Sequence, residues 1–214
     1  EGVPAGRRDL TGRTVLTIDP VDARDFDDAI SLERLERDHW LLGVHIADVA
    51  WFVPPGSALD QEALARGTSV YLPDRVIPMI PEIVSNNLAS LQPGKTRFAR
   101  TCWIEFTPDG VPVHAEVEPS AIRSARRFTY EEVDLFLDDP LTPRLEMTGE
   151  VRGLLGRMRD LARILRRRRL SRGALELEMP EVKVDLDRDG RVTGAHVVSH
   201  TESHRIIEEF MLAA

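Results

Sequence analysis

Between Ile18 and Ile30 the chain reads I-D-P-V-D-A-R-D-F-D-D-A-I, which sets Asp19, Asp25, Asp27 and Asp28 within ten residues, with Asp22 beside them. Two carboxylates about 4 Å apart repel by about 1 kcal/mol in water and roughly 4 kcal/mol at the effective dielectric of a protein surface. A fold that keeps such a cluster needs a cation in it, and an all-oxygen cage suits Mg²⁺, Mn²⁺ or Ca²⁺ rather than zinc. Apolar Ile18, Phe26 and Ile30 flank the aspartates, so the loop is expected to be pinned to a core instead of lying free in solvent. The chemistry this predicts is metal-dependent work on phosphates. A calcium EF-hand starting at Asp25 fails: Ala29 stands where a ligand belongs and Ile30 where glycine is needed, although Glu36 fills the twelfth position.

Other motifs carry less. Asp185-L-Asp187-R-Asp189-Gly190 matches the first half of a calcium loop, but its twelfth position is His196 and its flanks alternate with period two, which predicts a hairpin turn. His196, His200 and His204 recur every four residues and would share one face of a helix. His196 falls in a strand-like segment, however, and no Cys or Glu completes a ligand set, so incidental placement is expected. No G-x-S-x-G elbow, phosphate loop or paired-cysteine motif occurs. Arg166–Arg169 sits at the predicted end of a helix, where cations meet the macrodipole favourably, and a phosphate-tracking role is equally open. Tyr71 and Tyr130 are the only tyrosines. Each can pack in a core or offer a ring for base stacking, worth about 1–3 kcal/mol per base.

The elements that must position these residues follow from local signals. Thr14–Ile18 is β-branched and apolar, and Pro20, lacking an N–H, ends the strand, so the aspartates fall in the loop at its end. Ala29–Leu32 and Trp40–Ile46 read as strands joined by the charged turn Glu33–His39. A short helix opens at Ser57 and closes at Gly67. The stretch from Pro73 to Pro93 is too broken by proline for assignment. Phe98–Phe106 and Val111–Val117 alternate around Pro108-Asp109-Gly110, which predicts a hairpin. Thr129 and Glu132 form a capping box for a helix through Leu137. From Glu150 to Leu170, Leu154, Leu155, Met158, Leu161, Ala162 and Leu165 fall on one helical face. Ala174–Met179, Val182–Leu186 and Arg191–Val198 are expected strands. Ser203–Ala213 is an expected helix, buried through Ile206, Ile207 and Phe210.

Composition sets the bounds. The 214 residues are 42% hydrophobic and 30% charged, as in a folded globular protein. The single cysteine, Cys102, excludes an internal disulfide and leans towards a reducing compartment. No apolar run approaches the roughly 20 residues of a membrane span, and Glu1 to Arg8 lacks the apolar core of a signal peptide. No membrane role and a cytoplasmic location are therefore expected. A net charge of −8 argues mildly against a generic nucleic-acid surface, yet arginines gather at Arg123–Arg127 and Arg163–Arg172, which is compatible with RNA as substrate. The chain ends at Ala214 without a helix stop signal, so the domain is expected to continue beyond it.

The acidic stretch, together with G-V-H-I-A-D-V at Gly43–Val49, P-G-S-A-L-D at Pro55–Asp60, G-T-S-V-Y-L-P-D-R-V at Gly67–Val76 and H-R-I-I-E-E-F-M at His204–Met211, resembles the catalytic RNB domain of the ribonuclease II/R family. The resemblance implies an α+β fold, a mixed and largely antiparallel sheet with packed helices. It implies one RNB-type domain over residues 1–214, truncated before the family's later arginine-rich block and without the flanking oligonucleotide-binding barrels. It implies a processive 3′-to-5′ exoribonuclease that degrades single-stranded RNA to nucleoside 5′-monophosphates with Mg²⁺, Mn²⁺ being an alternative, in a two-metal reaction. By the same likeness Asp19 and Asp28 hold metal most directly, Asp25 assists, and Asp27 is the metal-site residue whose loss stops chemistry but spares binding. Tyr71 is placed to stack terminal bases, Tyr130 to contact RNA near the cleavage point, and Glu208 to line the nucleotide pocket. Leu177 falls where the family has an aromatic that would complete a sandwich with Tyr71, and it stacks poorly. The alternative is a catalytically inactive RNA-binding regulator on the same domain. Such relatives lack the aspartates, whereas all four stand here.

Overall fold

The structure, a computed structural model, describes residues 2–142, 144–176 and 181–214. Along them run strands β1 (Arg8–Asp9), β2 (Val15–Asp19), β3 (Asp28–Arg34) and β4 (Trp40–Ala47), then helix α1 (Ala58–Arg66). The ribbon β5 (Val70–Tyr71) and β6 (Val76–Ile77) follows, then β7 (Thr96–Phe106), β8 (Pro112–Thr129), α2 (Tyr130–Asp138) and α3 (Gly149–Ser171). A second ribbon, β9 (Glu181–Leu186) with β10 (Val192–Val198), precedes α4 (Glu202–Ala213).

The main sheet has the order β1-β8-β2-β3-β4-β7, and β7 also pairs with β8, so the sheet closes on itself. The length of β8 makes closure possible. Its first part runs antiparallel to β7, from Phe106↔Pro112 to Thr96↔Arg123, and its last part runs parallel to β2, from Val15↔Ser124 to Asp19↔Thr129. Only β1 and β2 pair with β8 in parallel; the rest of the sheet is antiparallel. The α+β class with a mixed, largely antiparallel sheet is the observed one.

Strand alternation gives the sheet two cores. Leu16, Ile18, Ile30, Leu32, Trp40, Leu42 and Val44 face the helices, where Val133 and Phe136 of α2, Leu154, Leu155, Met158 and Leu161 of α3, and Ile206 and Phe210 of α4 cover them. The opposite face, which closure turns inward, is built from smaller side chains, Val15, Ala29, Ala47 and Ala99, around Trp103 and Ile122. Space there is short: a Cβ on Gly43 would lie 2.7 Å from the Trp103 ring. A polar chain crosses this interior, with His45 Nε2 at 2.9 Å from Ser31 Oγ, His45 Nδ1 at 2.8 Å from Thr101 Oγ1, and Thr101 Oγ1 at 2.6 Å from Ser120 Oγ. Burial pushes His45 down to about 3, so the ring is neutral and serves as a hydrogen-bond bridge.

Most local signals hold. Ser57 caps α1 and Gly67, at φ 73°, ends it; Thr129 and Glu132 form the capping box of α2. All six apolar positions expected on one face of α3 are buried. The Asp187 turn is closed by its own side chain, Oδ1 accepting from the N–H groups of Asp189 and Arg191 at 2.9 Å each, so it is a hairpin turn and no calcium loop. His196 lies in β10 and His204 in α4, so the three spaced histidines share no helix. The unassigned stretch after Pro73 contains β6 and a π-turn at Val84–Leu88. The strand expected over Ala174–Met179 is a correction in its described part: Ala174–Glu176 is irregular, and residues 177–179 lie outside the described residues. Arg166 Nε donates to Glu176 Oε1 at 3.0 Å, which draws this segment back along α3. No described helix is long and apolar enough to cross a membrane.

Candidate active site

β2 ends at Asp19 and β3 begins at Asp28, and because the two strands are antiparallel neighbours, both aspartates stand at the same end of the sheet. The bend between them is held largely through its backbone. Ala23 N–H bonds back to Pro20 C=O at 3.1 Å, and Ala47 N–H donates to Asp27 C=O at 2.8 Å. Leu91 N–H donates to Phe26 C=O at 2.9 Å, while Ser90 Oγ accepts from Phe26 N–H at 3.1 Å and donates to Arg24 C=O at 2.9 Å. Arg127 Nη2 donates to Pro20 C=O, and its guanidinium lies over the Phe26 ring. The loop is therefore pinned to the core, as its apolar flanks predict.

The carboxylates themselves are poorly compensated. Asp19 is 6% exposed, and its Oδ2 and the neighbouring Thr17 Oγ1 are buried without hydrogen-bond partners. Burial drives the Asp19 carboxyl up to about 7, and the Asp28 and Asp27 charges add to the rise; Thr17 and the Arg127 guanidinium offset part of it. Asp28, half-buried, is also raised, chiefly by burial. Asp27 rises to about 6 through desolvation within the loop, with the Asp25 and Asp28 charges adding, although its side chain opens to solvent. These effects tie the four carboxylates into one neighbourhood. No ion pair engages any of them among the described residues, and among those residues no three His, Cys, Asp or Glu side chains stand at metal-chelating spacing. The donor set fits a hard divalent cation all the same: it is all oxygen, and Asp19 Oδ2 is a buried acceptor near the Thr17 hydroxyl but in no fully formed hydrogen bond.

Tyr130 belongs to this neighbourhood. It follows Thr129, the register partner of Asp19, and burial, with the Asp28 and Asp19 charges adding, pushes its phenol up to about 12. Its ring stacks on His204 with centroids 3.8 Å apart, and Thr201 Oγ1 holds the imidazole at 2.8 Å from Nδ1. Ser203 N–H donates to Asp134 Oδ1 at 3.1 Å, which docks the start of α4 on α2. The other two expected RNA contacts are not gathered here. Tyr71 is 71% exposed on the β5–β6 ribbon, which pairs with no strand of the main sheet. Glu208, one helical turn after His204, is ion-paired with Arg169 at 3.5 Å. Leu177 lies outside the described residues. An open cavity of about 580 Å³ lies elsewhere, lined by Leu165, Arg168, Arg172 and Leu212, and none of the aspartates borders it.

Three residues of the site carry no isolated sequence signal. Arg127 is visible only as part of a basic run, His204 only as a member of a spaced histidine series and of the H-R-I-I-E-E-F-M block, and Ser90 not at all, since its partners lie 64 and 66 residues away.

The RNB domain family matches residues 7–214. The chain is 47% identical over 210 residues to ribonuclease R of Thermotoga maritima, covering 98% of this chain and 29% of that protein. It superposes on RNase R of Mycoplasma genitalium in complex with ribose-methylated single-stranded RNA with a TM-score of 0.92 and 31% identity, over 98% of this chain and 32% of that one. Yeast Ssd1, a pseudonuclease, shares the fold with a TM-score of 0.69 at 21% identity, over 95% of this chain and 24% of that one. The chain thus spans about a third or less of the relatives it matches.

Proposed function

The chain belongs to the RNB-domain family, and on that premise we propose that it is the metal-bearing part of an exoribonuclease that hydrolyses single-stranded RNA processively from the 3′ end to nucleoside 5′-monophosphates. One observation carries the reading: a backbone-pinned bend presents four carboxylates with no cationic side chain among the described residues paired to them, and three of those carboxylates are raised in proton affinity. Asp19 and Asp28 are the proposed principal holders of Mg²⁺ or Mn²⁺, with Asp25 and Asp27 completing the set. Bound there, divalent ions supply activation of water and stabilisation of the departing 3′-oxygen.

The remaining roles fall to the chain's own side chains. The Tyr130 ring, fixed by His204, presents an aromatic edge beside the reacting end of the RNA, and its phenol, raised to about 12, stays protonated and able to donate. Tyr71, exposed on its ribbon, offers a face for base stacking. Glu208 lines the nucleotide side of α4. Its carboxylate lies 3.5 Å from Arg169, whose hydrogen bonds go to the neighbouring Glu209.

A regulator that binds RNA without cutting it is the competing reading, and the fold shared with a pseudonuclease keeps it in play. The presence of all four aspartates favours the enzyme. A time course on RNA with a single-stranded 3′ overhang, with and without EDTA, separates the two. Progressive shortening with release of nucleoside 5′-monophosphates that stops on chelation is the expected result. Binding without shortening in saturating Mg²⁺ assigns the protein to the regulators.

A further inference from the structure

We propose that the Ser90 hydroxyl is the positioning residue of the acidic bend: it bridges the two peptide groups flanking Asp25 and so fixes the backbone from which the aspartates reach a divalent cation. Ser90 is fully buried. Its Oγ accepts from the N–H of Phe26 at 3.1 Å and donates to the C=O of Arg24 at 2.9 Å, so one atom grips the chain on both sides of Asp25. The grip is itself anchored. Arg97 Nε donates to the Ser90 carbonyl at 2.9 Å, and the next residue, Leu91, donates its N–H to Phe26 C=O at 2.9 Å.

Chemistry explains why a hydroxyl stands here. Accepting from one peptide and donating to another through a single atom is what a serine or threonine side chain can do and an alanine cannot. A lysine or arginine could also hold the loop, but its charge would compete with the cation for the carboxylates. The neutral hydroxyl opposes the mutual repulsion of Asp25, Asp27 and Asp28 without neutralising them. Arg127, whose charge acts on Asp19, likewise bonds a backbone carbonyl, that of Pro20, and forms no ion pair with the carboxylates.

The inference rests on the nuclease reading, so its test uses two readouts in the full chain: Mn²⁺ affinity, followed by electron paramagnetic resonance, and steady-state turnover on a single-stranded oligoadenylate. Ser90→Ala is expected to weaken Mn²⁺ binding about fivefold or more and to lower kcat about tenfold, with KM for RNA within about twofold. Ser90→Cys, which keeps the volume and weakens both bonds, is expected to lie between wild type and Ser90→Ala, and it decides the matter should the alanine variant not fold. Mn²⁺ affinity and kcat both within twofold of wild type in a folded variant overturn the proposal, as does a rise in KM with kcat and Mn²⁺ affinity intact. Wild-type protein that binds Mn²⁺ but releases no mononucleotide sinks the nuclease reading separately, and the Mn²⁺ titration of the variants still decides the role of Ser90.

Discussion

The acidic bend and the seam between α3 and α4 are both crowded with charge, and they treat it in opposite ways. Along the seam the acids are ion-paired, Glu208 and Glu209 sharing Arg169. Arg163 is bidentate on Glu202, Arg166 binds Glu176, and Arg169 reaches Glu209 at 2.6 Å and Glu208 at 3.5 Å. At the bend, Asp19, Asp25, Asp27 and Asp28 are held by hydrogen bonds to the backbone around them, and their own oxygens have no ion-pair partner among the described residues. Glu209, only 3% exposed, is tolerated because Arg169 neutralises it. Asp19, at 6%, is tolerated only with its carboxyl pushed up to about 7. Paired charges belong to the fold and their energy is already part of it. Unpaired, buried and raised charges are an unmet demand for positive charge, which is how a site awaiting a cation differs from a salt-bridge seam.

The contrast can be broken most forcefully at Asp27, the exposed member of the bend. Asp27→Asn removes one charge without removing a packed side chain. It is expected to slow mononucleotide release about a thousandfold, equivalent to about 4 kcal/mol, while RNA affinity stays within severalfold. Single-turnover cleavage and a filter-binding isotherm on the same preparation check this; near-normal cleavage would remove the bend from the chemistry.

At Asp19 the contrast predicts a gain in stability. Its folded value, about 7, lies above the unfolded one, so the fold favours the protonated carboxyl. Its contribution is fully present below about pH 4 and is lost as pH rises towards 7, worth as much as about 4 kcal/mol across that window. Asp19→Asn does not titrate. Without metal it is therefore expected to melt roughly 5 °C or more above wild type at pH 7.5, with the difference shrinking towards pH 4.5. Parallel melting profiles across that range would show that the Asp19 charge is already compensated.

On the seam the same manipulation has the opposite sign. Arg169→Ala leaves Glu209 buried and alone, which is expected to cost about 2–3 kcal/mol, discounted because Arg169 is itself partly exposed. Thermal melting detects the loss, and Mn²⁺ affinity at the bend, which Arg169 does not contact, stays unchanged. A stabilised Arg169→Ala protein would erase the distinction between the two regions.

Much of the fold was legible because its elements are local. The α3 face repeats at helical period, the Thr129–Glu132 capping box sits within four residues, and the Pro108–Gly110 turn separates two alternating runs. The closure of the sheet was not legible. The period-two run fades after Val117, so the sequence does not reveal that β8 continues to Thr129 and changes partner from β7 to β2 near Ser124. The acidic bend announced itself because like charges at short spacing are costly. What holds it did not: Ser90 lies in a proline-broken stretch with no period, and Arg127 reads as one more member of a basic run. Tyr130, left open by its residue type alone, is joined to the aspartates because β8 delivers Thr129 beside Asp19. Ala174–Glu176 misled because its alternation imitates a strand, whereas its glutamate is taken by Arg166.

A Mn²⁺ titration of the metal-free chain at pH 7.5, read by electron paramagnetic resonance, tests the central claim most directly. Saturable binding, weakened about tenfold or more when Asp19 and Asp28 are both changed to Asn, is the predicted result. No saturable binding, or binding indifferent to that double substitution, would mean that the bend is an acidic turn and not a cation site.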